Sequence, residues 1–373
     1  MCLNKYVSHS IINPTMFASK FFKLFPSPDF LTMPRVGIDI SDEAVRFVEF
    51  IHTKQGLKLG RFGERLLPKG TVDSGYIQDS QILIEHIKDL KREFKFNFVR
   101  AAMPEEKAYL FKIEIPRVDE SQIRSAIELR LEENVPLNLS QAIFDYEIIR
   151  KDLVQGDTME VSVSVLPEKV VSTYLDVFLK AGLTPLDFEI EGRAISRAFV
   201  KETDTGTYMI INFAERRTGI FIVSEGVVCF SSSLSIGGEA LTSTLAKSLS
   251  ISFEEADKIK HSRDKSTKNS INVFEYSINT LAALKDEVSK VYTYWHDHGE
   301  KDKKIGAIIL SGENSSLVGL DEYLTISLKA PVVQGNPWVN AFSFSTYIPP
   351  MDYSKALSYA VSIGLALAHN HHV

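Results

Sequence analysis

Two stretches of the chain repeat one pattern, PRVGIDISDEAVRFVEF at 34–50 and MIINFAERRTGIFIV at 209–223. Each is an apolar run that ends on a polar residue, then a short polar turn, then a second apolar run. A third run follows a glycine in both copies, Gly56 in the first and Gly226 in the second. This reads as a β-meander. A meander that occurs twice, with helical segments between, predicts two pseudo-equivalent halves facing each other across a cleft. The matched turns then point into that cleft. Asp39 stands at the strand tip in the first copy and Asn212 in the second. An acid at the end of an apolar strand costs desolvation energy unless a partner, a metal or a reaction offsets it, so Asp39 is the first candidate functional residue.

The rest of the chain is divided around these two copies. Residues 1–33 stand apart as a tail, either frayed or, at 17–25, a short amphipathic segment that rests on a membrane surface or a partner. The first half is expected over 34–108, with a helix at 79–94 and a strand at 98–103. A small α+β unit is expected over 109–191 in the order β-α-β-β-α-β, its last strand at 186–190. Within it, Asp119 and Gln122 have the spacing of a capping box. A connecting helix at 192–205 leads into the second half, 206–340, where Gly237 and Gly238 open a helix and Ser252 with Glu255 forms a second capping box. The last segment, 341–373, carries a helix at 354–369 that returns to the first half.

Composition narrows the function. The net charge of -6, from 42 basic and 48 acidic residues mixed along 373 positions, argues against a nucleic-acid protein whose affinity comes from neutralising phosphates. Cys2 and Cys229 are the two cysteines, so there is neither a disulfide framework nor a cysteine metal site, a usage that suits a reducing cytoplasm. No apolar run approaches the roughly 20 residues of a spanning helix, so membrane contact is expected to be peripheral or through a partner. His296, His298, His369, His371 and His372 sit at a helix end and in a terminal tail without a carboxylate or cysteine framework, and no metal is expected of them. P-loop, GxSxG, HExxH and CxxC patterns are all absent.

Six stretches carry a family resemblance in order along the chain: GIDISDEAVRFVEF (37–50, within the first repeat), IRSAIELRLEENVPLNLSQAIFDYEII (123–149), LSIGGEALTSTLAKSLSISFEEADKIK (234–260), ILSGENSSLVGLDEYL (309–324), GNPW (335–338) and SIGLALA (362–368). With these the chain resembles the PilM family of type IV pilus assembly proteins, actin-like relatives of FtsA. The resemblance implies an α/β, actin-like (ribonuclease H-like) duplicated fold, two halves around a cleft, with an inserted small α+β subdomain. It also implies ATP with Mg²⁺ in the cleft, and a PilN-like inner-membrane protein whose N-terminal tail lies in a groove beside the insert. The pilus motor ATPase and platform protein are further expected partners. The expected place is the cytoplasm, peripheral to the inner face of the cytoplasmic membrane.

Carried over residue by residue, the nucleotide-binding positions are Asp39, Ser41, Asn212, Gly237, Gly238, Asp257, Lys260 and Gly312, with no catalytic residue assigned. Several depart from the family pattern. Ser41-Asp42-Glu43 replaces a Gly-Thr/Ser turn, and two carboxylates there repel a triphosphate. Asn212-Phe213-Ala214 replaces Asp-Ile-Gly and is followed by Glu215, Arg216 and Arg217. Gly312-Glu313-Asn314 replaces three glycines, and Asp257 replaces a glutamate. Two functions are therefore expected: a scaffold with a degenerate nucleotide site, or an ATP-binding switch or slow ATPase of the same machine. A type II secretion platform protein is a third, less favoured because that protein continues into a membrane helix.

Overall fold

The structure is a computed structural model that describes residues 35–149, 157–261, 272–298 and 303–368. The expected tail at 1–33, the polar loop at 263–270 and His369, His371 and His372 lie outside the described residues, as does the side chain of His298. In the first half, β1 (Arg35–Ile40), β2 (Ala44–Thr53) and β3 (Gly56–Leu66) form the meander, and β4 (Val72–Asp73) and β5 (Tyr76–Ile77) make a small hairpin after it. Helix α1 (Ser80–Phe94) follows, its N-cap Asp79 accepting the Gln81 and Ile82 N–H groups at 3.0 Å. This cap satisfies donors the first turn leaves open. Strand β6 (Phe98–Met103) lies parallel to β1.

The insert is a three-stranded antiparallel sheet in the order β7 (Tyr109–Pro116), β9 (Thr158–Pro167), β8 (Ala142–Ile148). Helix α2 (Glu120–Asn134) closes it over Ile123, Ile127, Leu131, Val161, Val163 and Val165. Two expectations are corrected here. Asp119 makes no side-chain cap; its backbone carbonyl accepts the Gln122 N–H at 2.8 Å instead. The strand expected to complete the insert, β10 (Thr184–Ile190), pairs in parallel with β6 of the first half. The helix before it, α3 (Glu168–Lys180), packs on the first half's core through Val170, Tyr174 and Phe178. Phe188 and Ile190 on β10 enter that same core, which is the apolar reward that draws the strand away from the insert.

Helix α4 (Glu191–Phe199) leads to the second half. There β11 (Thr207–Phe213), β12 (Thr218–Ser224) and β13 (Val227–Leu234) form the second meander. Helices α5 (Gly238–Leu249), α6 (Phe253–His261), α7 (Val273–Tyr276) and α8 (Ile278–His298) follow, then β14 (Ala307–Ser311), α9 (Leu320–Leu328) and β15 (Val332–Gln334). The Ser252–Glu255 capping box forms in both directions, at 3.1 and 3.2 Å. The two five-stranded sheets, β3-β2-β1-β6-β10 and β13-β12-β11-β14-β15, have one topology, so the duplication extends past the meanders to the two parallel strands after them. The C-terminal helix is broken in two, α10 (Tyr353–Ser358) and α11 (Ala360–Leu367).

The halves share a core at the base of the cleft. Val48 and Phe50 of β2, Phe221 and Val223 of β12, and Ala194, Ala198, Ile363 and Leu367 of α4 and α11 belong to one apolar cluster. Helix α11 crosses close over both neighbours: a Cβ on Gly364 would lie 1.8 Å from the Ala194 carbonyl oxygen, and one on Gly37 of β1 would lie 2.2 Å from that of Ser362.

Candidate functional site

Above that core, the matched turns meet. Asp39, Ser41, Asp42, Glu43 and Arg46 of the first half face Asn212, Glu215, Arg217, Gly312 and Glu313 of the second around a cavity of about 100 Å³. Glu105, Glu106 and Glu191 line it as well. Asp39, Ser41, Asn212 and Gly312 are thus brought together as the sequence suggested. Gly237, Gly238, Asp257 and Lys260 do not line the cavity, and Lys260 is paired with Glu215, which does.

Ser41, Asn212 and the start of α5 are bonded within their own halves. The Ser41 hydroxyl accepts the Ala44 N–H at 3.2 Å, and the Ser41 N–H goes to the Ala44 carbonyl at 3.0 Å. Asn212 accepts from the Ser311 hydroxyl at 3.3 Å. At the start of α5, the Gly238 N–H donates to the Ala214 carbonyl at 3.0 Å and the Glu239 N–H to that of Glu215 at 2.7 Å. A helix N-terminus binds an anion through such amides, and here the chain's own carbonyls have them. Close backbone packing explains the glycines. A Cβ on Gly237 would lie 2.4 Å from the Glu215 carbonyl oxygen, and one on Gly238 would lie 2.3 Å from the Asn314 side chain.

Lys260 donates to both Glu215 oxygens, at 2.8 and 2.6 Å, and lies 3.2 Å from Asp257. Asn314 adds a bond to Glu215 at 3.2 Å. Among the described residues, Glu215, Asp257 and His261 form a group close enough to hold a metal ion, but the Lys260 ammonium already supplies the positive charge there.

Across the cavity the charges belong to side chains. Arg46 of β2 stands opposite Asp39 in the hairpin register and pairs with Glu64 at 2.5 Å and with Glu313 of the other half at 3.2 Å. Arg217 reaches back to Glu106 at 3.0 Å and Asp42 at 3.5 Å. Its Nε–H is not aimed at either carboxylate, so these contacts are ionic rather than hydrogen bonds. Asp42 in turn accepts the Ser74 and Gly75 N–H groups, at 3.1 and 3.3 Å.

The excess of acids shows in their proton affinities. Burial pushes Asp39 up to about 6, with Glu106 adding to the effect and Arg46 opposing it. Glu43 is pushed up to about 8, by burial first and then by Glu313 and Glu215, and it shares a hydrogen bond with Glu313. Burial also raises Glu105, Glu106 and Glu191. A site that favours neutral carboxyls does not favour a further anion. The amides at the start of α5 donate to the chain's own carbonyls, and the Lys260 ammonium is paired with Glu215 and Asp257.

Glu43 yields a testable pH effect. Its carboxyl is held neutral in the fold, so its contribution to stability is full below pH 4.5 and is lost as pH rises through about 8. Glu43→Gln keeps a donor for Glu313 without the ionisation. Unfolding free energies measured between pH 5 and 9 should fall less steeply in the variant, by on the order of 2 kcal/mol over the range. Parallel profiles would refute the assignment.

Sequence reasoning passed over Arg46, Glu105, Glu106 and Glu191 and gave Arg217 no role. Counting across the hairpin turn pairs position 39 with 46, so Arg46 had a usable signal. The glutamates had none, since β6 and α4 meet β1 and β12 only in the folded sheet.

A family model described as type IV pilus assembly protein PilM matches residues 37–370. No curated protein matches the chain. Among solved structures, the chain is similar to the PilM-PilN type IV pilus biogenesis complex at 19% identity and a TM-score of 0.74, with 89% of this chain and 97% of that chain covered. It is similar to the ethanolamine utilization protein EutJ from Carboxydothermus hydrogenoformans at 16% identity and a TM-score of 0.55, with 91% of each chain covered. It is also similar to MreB5 of Spiroplasma citri bound to ADP, at 14% identity and a TM-score of 0.50, with 84% of this chain and 94% of that chain covered. At these identities the likeness is one of fold, and the fold is actin-like.

Proposed function

Because the chain belongs to the PilM family of type IV pilus assembly proteins, we propose that it is a scaffold of the assembly machine. In this reading it sits in the cytoplasm against the inner membrane and docks the N-terminal tail of a PilN-like membrane protein beside the insert. It links that platform, including its platform protein, to the assembly motor ATPase. No described helix is long and apolar enough to cross a membrane, which suits a protein brought to the membrane by a partner. The observation that carries the scaffold reading is the bonded state of the turns. The amides at the start of α5, the Lys260 ammonium and the Ser41 hydroxyl all serve the protein itself. Asp39, Asn212 and Gly312 then keep their places as framework.

The alternative is an ATP-binding switch, favoured by the cleft between two matched halves and by the retained Asp39. Calorimetric titration of the full chain with a peptide of the PilN-like tail, with and without MgATP, separates the two. The scaffold predicts micromolar peptide binding that MgATP leaves unchanged, and no heat from MgATP alone at millimolar concentration. Micromolar MgATP binding overturns the scaffold in favour of the switch. Failure to bind the peptide overturns the docking role in both.

A further inference from the structure

We infer that the chain clamps its own halves together: Arg217 of the second half, seated against Asp42, Glu106 and Ser74 of the first, and Arg46 of the first, seated on Glu313 of the second, fix the cleft shut without a nucleotide. This rests on the cleft geometry and not on the identity of any partner.

A nucleotide joins two such halves because its phosphates accept hydrogen bonds from turns on both sides. Here the same joining is made by side chains. Ser74 and Gly75 both have positive φ, 53° and 74°, and their successive N–H groups are directed at one anion. The anion they hold is the Asp42 carboxylate. Arg217 covers its other side, bonded to the Ser74 hydroxyl as well. The side chains of Arg217, Asp42 and Glu106 are only 24%, 10% and 18% exposed, so solvent screens these pairs less than it does the exposed Lys69–Glu239 pair.

The clamp is also asymmetric. Asp39 pairs in register with Arg46, whereas the matching position opposite Asn212 is Gly219. It is therefore built from the differences between the halves and not inherited from their common fold. Opening would hinge on the shared core under α4 and α11 and would have to break both arginine contacts.

Spin labels on Gln55→Cys and Glu322→Cys, in a Cys2→Ser background, report the distance between the halves. Cys229 is buried and escapes labelling. The otherwise unaltered protein should give one narrow distance that millimolar MgATP does not shift. Arg217→Ala should broaden it toward longer distances, as should Asp42→Asn with Glu106→Gln, which attacks the clamp from the other side if the arginine variant does not fold. The exchange Arg217→Glu with Glu106→Arg should restore the narrow distance. A folded Arg217→Ala protein with an unchanged distance overturns the clamp, and so does a shift of the unaltered protein with MgATP. Loss of peptide docking with an intact narrow distance would count against the scaffold role alone.

Discussion

Arg46→Met is expected to destabilise the protein by about 3–5 kcal/mol, the cost of removing one partner from a buried ion pair. Arg46 is 7% exposed, and its guanidinium faces Glu64, Glu313, Asp39 and Glu43. Methionine fills much of the volume but leaves four carboxyls around an apolar side chain. The melting temperature should fall by about 4–6 °C at pH 8. At pH 5 the fall should be smaller, because Asp39 and Glu43 can hold their protons there. Adding Glu313→Gln should recover part of the loss, since the two residues are coupled and their effects do not add. Thermal melts of the single and double variants at both pH values check this. A loss independent of pH would mean that packing, and not charge, is what Arg46 supplies.

Gly364→Ala should be more damaging still. Its new methyl would lie 1.8 Å from the Ala194 carbonyl oxygen and 2.4 Å from the carbonyl carbon. Backbone atoms cannot rotate away, so α11 must lift from α4 and open the shared core. We expect a loss beyond 4 kcal/mol, in the range reserved for core disruption, seen as low soluble yield or a collapsed melting temperature. Gly226→Ala is the control. Gly226 has φ of +79° and nothing within 4 Å of a built Cβ, so its cost should be about 1 kcal/mol, that of left-handed backbone alone. Equal damage at both sites would show that the helix crossing is not the reason.

The strands of both meanders and the strand at 98–103 were legible because apolar runs bounded by Gly or polar turns leave few other readings. The same local rule misplaced β10. Its sequence, TPLDFEI, alternates equally well for either sheet, and its partner β6 lies across the whole insert. Parallel pairing at that separation leaves no local mark. The candidate site divides in the same way. Asp39 and Asn212 could be placed by their strand tips, and the repulsion expected of Asp42 and Glu43 follows from composition. What those acids do instead depends on which cation meets them. Arg217 meets Asp42 only because the second turn folds back over the first, a relation that sequence spacing does not encode. Gly237, Gly238 and Gly312 stand at expected nucleotide-binding positions, where a small residue leaves room for a ligand. In the structure a Cβ at each would strike the chain itself, and a small residue serves either purpose.

The seat of α11 on the first sheet has a consequence for synthesis. The Ser362 hydroxyl donates to the Arg46 carbonyl, 316 positions earlier in the chain, and Arg100 bonds the Ala368 carbonyl 268 positions on. At roughly 5–20 residues per second, the ribosome finishes α11 tens of seconds after it finishes β1 and β2. Through that interval the face of β1 around Gly37 has no cover. The first half is therefore made long before it can be completed, and the emerging protein depends on whatever shields that face until its last helix arrives.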